Sequence, residues 1–171
     1  MSQPEAWLRG PLEGVVPMLM PAAHALAQAS EDLERAVSGL TVEALWVTPG
    51  GAASVGFHLR HIAESIDRLL TYARGERLSE GQRQAAALEQ KPGGPPANAA
   101  GLIREAQAAI EGALIAMRAV PEESLFDPRT IGRAALPTSV FGLLCHIAEH
   151  TQRHTGQVIT TAKIVCGLGL G

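Results

Sequence analysis

Cysteine is scarce in this sequence: Cys145 and Cys166 are the only two among 171 residues. Both fall in one helical pattern, which sets them roughly 30 Å apart at 1.5 Å per residue, too far to pair within the chain. Each reads as a small apolar residue, with Cys166, just before the glycine-rich end, the more exposed. Long apolar runs are also missing, and nothing approaches the run of about twenty residues that a membrane helix needs. There is no basic excess, since 14 Lys and Arg against 17 Asp and Glu leave a formal charge of -3. The basic residues are dispersed without a stripe, which argues against a nucleic-acid partner. The opening segment has no basic start followed by an apolar run, and Pro11, Pro17 and Pro21 interrupt it, so a cytoplasmic location is expected. Aromatic residues make up only 4% of the chain, and no stretch alternates convincingly in the manner of a strand.

What the chain does have is alanine, leucine and an apolar spacing of three and four almost throughout, so the expected fold class is all-α. The length suits one domain, residues 1-171, able to bury a core without disulfide or metal staples; a metal, if bound, would then serve function. A first helix is expected from about Val16 to Val37, with Pro17 and Pro21 tolerated in its early turns. The stretch Leu40 to Ala53 carries Trp46, Pro49, Gly50 and Gly51 and reads as a loop. The second helix runs from Ser54 to about Gly75 with Val55, Leu59, Ile62, Ile66 and Leu69 on its apolar stripe. A link of about twenty residues follows, with a short helix near Ser79 to Ala87 and a proline-rich end. A link that long would let the second and third helices lie parallel. The third helix, about Ala99 to Val120, carries no histidine and reads as structural. After a loop the last helix opens at Thr138 or Ser139 and continues to about Val165.

Five of the six histidines fall in two of these helices. His146, His150 and His154 are spaced by four, which stacks them on one face of the last helix. Two histidines one turn apart can hold two positions of a transition-metal ion if another element supplies a third donor. His58 and His61 lie on the flank of the second helix, with Ser65 between them by angle. The competing reading is that all are packed or solvated histidines with ordinary hydrogen bonds. His24, alone in the first helix, is read as structural. Glu64 and Glu149 fall on wet faces and read as surface charge.

The two histidine-bearing helices resemble each other. Residues 53-69 placed over 138-154 match without a gap at Ser54/Ser139, Val55/Val140, Leu59/Leu144, His61/His146, Ile62/Ile147, Ala63/Ala148, Glu64/Glu149 and Arg68/Arg153, eight identities in seventeen positions. Shared burial accounts for Val, Leu and Ile but not for the matching His, Glu and Arg. The repeat suggests two helix pairs of common origin, forming a four-helix bundle with pseudo-twofold character.

The segment SVGFHLRHIAESIDRL, the long second link, and the last-helix pair His150 and His154 followed by Gly156 and Gln157 together resemble the DinB-like (DinB/YfiT) metal-binding four-helix bundles. The resemblance covers nearly the whole chain and implies an up-down-down-up bundle with a long connection between helices 2 and 3. It implies a divalent metal, zinc or nickel, held by His61, His150 and His154. His58, His146 and Gln157 are left as residues behind the ligands or as alternative ligands. The family often has an arginine after the final histidine, where this chain has Thr155. Members of known activity are thiol-dependent transferases, which implies a low-molecular-weight thiol as cosubstrate and a small electrophile as substrate. Three neutral imidazoles leave such a metal with net charge and an open position, so a thiol or a water there loses its proton near neutral pH. Hydrolysis is thus open beside transfer. The contrasting expectation is a non-catalytic, stress-associated or ligand-binding bundle whose metal is structural or sensory. Catalytic residues beyond the ligands are not indicated; a homodimer is plausible for a bundle of this size.

Overall fold

The computed structural model describes residues 3-88 and 98-169. After a short 3-10 turn at Pro17–Leu19, helix α1 spans Met20–Val37, and a short helix α2 spans Val42–Trp46. Helix α3 spans Val55–Ala73, α4 Glu80–Leu88 and α5 Ala99–Ala119. A hairpin of strands β1, Pro128–Ile131, and β2, Leu136–Ser139, then leads directly into α6, Val140–Gly167. Part of the expected link between the second and third long helices, residues 89-97, lies outside the described residues.

Helix starts are set by side-chain oxygens that accept otherwise orphaned amide hydrogens. Ser54 Oγ accepts from Phe57 N at 3.2 Å, Asn98 Oδ1 from Gly101 N at 2.9 Å and Ser139 Oγ from Gly142 N at 3.0 Å. Ser79 and Gln82 cap α4 reciprocally, Ser79 N donating to Gln82 Oε1 at 2.9 Å and Gln82 N to Ser79 Oγ at 3.1 Å, the arrangement of a capping box. The Gln82 amide also reaches back to Thr71 Oγ1 and Asp67 Oδ2, both at 2.7 Å, and so fastens α4 to α3.

The principal contacts between long helices are α1 on α5 and α6, and α3 on α5 and α6. The four therefore close a ring with α1 and α3 opposite each other. Its interior is aliphatic, with Leu26, Leu33, Leu59, Ile62, Ile66, Leu102, Ile110, Met117, Leu144 and Val158 all buried. No described helix is long and apolar enough to cross a membrane. Cys145 and Cys166 are both free and lie on the same helix.

The hairpin corrects the expectation of a chain without strands. Its four-residue strands are antiparallel, with Arg129 opposite Thr138 and Thr130 opposite Pro137. They are too short and too exposed to show apolar alternation, and each contains a proline, so the sequence offers little to read. What stabilises them is tertiary: Phe141 N donates to Leu125 O at 2.7 Å, and Arg129 Nε donates to the α3 carbonyl of Ala73 at 2.8 Å. The ribbon thereby satisfies one of the orphan carbonyls at the end of α3.

Gly56 shows what the α2–α3 packing requires. A Cβ at this position would lie 2.9 Å from Trp46 ring carbons, and the guanidinium of Arg60 sits 5.1 Å from the centre of that ring. Alanine gains about 1 kcal/mol in helix propensity over glycine, but forcing the indole aside costs about 1–3 kcal/mol. We expect Gly56→Ala to lower the urea midpoint, and the same substitution to raise it in a Trp46→Ala background. Equal effects in both backgrounds would exclude the steric explanation.

Candidate metal centre

Helices α3 and α6 bring their histidines together. Pairwise contacts step in opposite directions along the two helices: His58 meets His154, Ser65 meets His150, and a groove beyond them is bounded by Leu69 and His146. The helices are thus antiparallel here. One donor atom from each of His61, His150 and His154 lies within 4.8 Å of the other two, a grouping able to hold a metal ion. The ring centres of His61 and His150 each lie 4.5 Å from that of His154.

The nitrogens identify which edges face inward. His61 Nε2 and His150 Nε2 are 3.4 Å apart, close to the ~3.3 Å edge of a tetrahedron with zinc–nitrogen bonds of about 2.0–2.1 Å. His154 Nδ1 is 3.0 Å from Nδ1 of the buried His58. When His154 donates this proton to His58, its Nε2 is left with a free lone pair. Ser65 Oγ donates to Ile62 O at 3.1 Å and lies 3.4 Å from His150 Nδ1, so its lone pair is available to that ring's N–H. Phe57 stacks on His61 with ring centres 5.4 Å apart and planes 11° from parallel.

Electrostatics favour the lone pairs. Burial, reinforced by the neighbouring His61, lowers His58 and His154 to about 4. His150 is also lowered to about 4, by burial first and then by His61, His146 and Arg153. Two of the grouped donors, His150 and His154, are thus neutral at pH 7, the protonation state a metal ligand needs, as is His58 behind them.

The remaining candidates lie outside this group. His146 is exposed at the mouth of the groove, its Nδ1 3.0 Å from Glu149 Oε2 and its ring centre 5.5 Å from that of His150. Gln157 is exposed on α6 and is not one of the grouped residues. His24 Nε2 pairs with the Gly10 carbonyl at 2.8 Å, as a structural histidine would.

A model of the DinB superfamily matches residues 25–158. The chain belongs to the DinB superfamily. A search of the curated proteins finds no significant match. Within this DinB chain the internal repeat gains a geometric meaning. Its numbering pairs Ser65 with His150, and these two residues face each other across α3 and α6. The repeat operation therefore carries His61, His150 and His154 onto His146, Ser65 and Leu69. Those three line a cavity of about 240 Å³ beside the histidines. Where α6 has histidine at 150 and 154, α3 has serine and leucine, so one half of the pseudo-symmetric pair is a donor cluster and the other an open groove.

Sequence reading named His58 and His146 near the donors but missed other residues beside them. Phe57, Arg68, Tyr72 and Leu78 are among them, and the first three share the helical face of His61 at intervals of four, seven and eleven. That spacing was the available signal.

Proposed function

We propose that this DinB protein binds one divalent metal, zinc or nickel, through His61, His150 and His154, and uses it to activate a small molecule. The reaction would be transfer of a low-molecular-weight thiol to a small electrophile, or hydrolysis. The observation that carries the reading is the convergence of one nitrogen from each of three rings, with the outer nitrogens of His150 and His154 meeting Ser65 and His58. When bound, such an ion supplies Lewis acidity that favours the deprotonated form of a thiol or water near neutral pH.

The protein's own residues do the rest. His58 accepts the His154 Nδ1 proton and holds the tautomer that directs Nε2 inward. Phe57 packs flat on His61 and limits its rotation. The groove lined by His146, Ser65 and Leu69 gives a small substrate an approach to the donors. An up-down-down-up bundle in a single domain over residues 1-171 belongs to the same proposal; it is supported by the helix ring and by the antiparallel passage of α3 and α6.

Because His58 orients a ligand, His58→Leu is expected to weaken zinc affinity by about 10–100-fold, read by competition with a chromophoric chelator. Unchanged affinity would remove His58 from this role. Activity is tested by giving metal-loaded and metal-free protein glutathione with a dinitrophenyl halide, and separately p-nitrophenyl acetate. Metal-dependent consumption of either pair supports an enzyme. Metal binding with turnover of neither would favour a non-catalytic bundle with a structural or sensory metal.

A further inference from the structure

The groove beside the histidines has a chemical character of its own. Ser65, Arg68 and Tyr72 of α3 and His146 of α6 supply polar lining, Leu69 and Leu78 apolar lining, and its inner end is formed by the donors His61 and His150. No carboxylate lines it among the described residues. Glu149, which pairs with His146, is exposed and also bonded by Arg153. The volume of about 240 Å³ is what roughly eight water molecules occupy in the liquid, which suits a molecule of a few carbons.

Arg68 stands seven residues beyond His61, about 10 Å along the helix axis. Side chains on a helix lean toward its N-terminus, so the guanidinium leans back toward the histidines. Arg68 also interacts within the protein, yet a guanidinium carries five N–H donors and matches a carboxylate in two-point fashion.

We propose that this groove binds a small organic carboxylate, with its carboxylate at Arg68, its short apolar stem along Leu69 and Leu78, and its other end presented to the three histidines. The proposal rests on the metal reading above and adds the charge and size of the molecule that the centre acts on. The Arg68 charge in a lining without carboxylates, strengthened by any divalent ion at the histidines, selects against neutral molecules of equal length. Leu78 is held in place by the capping of α4 and the Gln82 bonds to α3, so that wall is built into the fold.

The test uses cobalt-loaded full-length protein titrated with 3-mercaptopropionate and with its neutral counterpart 3-mercaptopropanol, followed by the sulfur-to-cobalt absorption band. We expect the carboxylate to bind about tenfold more tightly, the energy of one charge-assisted contact in partly wet surroundings. That preference disappears in Arg68→Gln, returns in part in Arg68→Lys and persists in Arg153→Gln. Equal binding of the two thiols by the wild type would overturn the proposal, as would a preference surviving in Arg68→Gln. Equal loss in Arg68→Gln and Arg153→Gln would also overturn it, since only net charge would then be at work. Propylphosphonate displacing the bound thiol better than butyrate would assign the groove to phosphorus oxyanions and reject the carboxylate. Protein that takes up no cobalt would overturn the metal reading and this proposal with it, a result distinct from cobalt uptake without discrimination.

Discussion

In His150→Ala, zinc affinity falls by more than about a hundredfold, and near-stoichiometric binding at micromolar protein is lost. The expectation follows from removing a donor outright, since removing only a residue behind a ligand already costs about 10–100-fold. His150 is one of the three grouped donors, its Nε2 3.4 Å from His61 Nε2 and its ring 4.5 Å from that of His154, so its loss leaves only two protein donors where a site of this kind uses three. His146→Ala serves as the counterpart. It lies one turn away on the same helix, at the spacing that would equally allow a His146/His150 pair, but it is exposed and outside the grouped nitrogens. Its removal is expected to leave zinc affinity within about threefold, the residual effect of changing one exposed polar group near the site. Competition titration with a chromophoric chelator reads both variants. Equal losses would place the donors on the upper rungs of the ladder, and no loss in either would end the metal assignment. Circular dichroism separates loss of the site from loss of the helices.

The metal-free protein loses stability as pH falls from about 6.5 to about 4, and zinc at pH 7 opposes unfolding. The sign follows from proton counting. His58, His150 and His154 are lowered in the fold to about 4, chiefly by burial, while an unfolded histidine titrates near 6.5. Between those values the unfolded chain binds more protons, so stability rises with pH through the window and is fully present above it. Water still reaches the rings of His150 and His154, and the three are coupled, so we take about 1 kcal/mol each after screening, about 2–3 kcal/mol together. The groups facing these rings include His61, His146 and Arg153, which oppose protonation, and Glu149, which favours it at His150. Urea midpoints measured from pH 7.5 to 4 check the slope, and a flat profile would contradict the burial of these rings as neutral groups. Zinc competes with protons for the same nitrogens. Its stabilisation, about 4 kcal/mol at a thousandfold excess over the dissociation constant, is therefore expected to fade in the same window.

Much of this molecule is local and so legible from the chain. Helical periodicity needs only neighbours a turn apart, and Ser54 and Ser139 mark starts because the oxygen that caps a helix is three residues from the amide it accepts. The four-residue spacing of His146, His150 and His154 likewise requires a ladder on any helix. The β1–β2 hairpin was not legible, because Phe141 and Arg129 tie it to Leu125 and Ala73, contacts that no run of four residues announces. Trp46 against Gly56 is a similar case: a missing side chain becomes meaningful only beside the indole that fills its space.

The ladder shows where the division falls. Its three rungs span about 12 Å along the axis, too far for one ion with bonds near 2 Å to reach all of them. The chain by itself determined that there would be rungs, that a second histidine helix existed, and that the two helices shared a pattern. Which rungs meet the partner helix depends on the relative height of α3 and α6. In the folded protein Ser65 comes level with His150, so His61 and His58 fall beside His154 while Leu69 faces His146. That offset, set by how two apolar stripes interlock, turned a symmetric pattern into a cluster of donors on one side and a groove on the other. No property of either helix alone contains it.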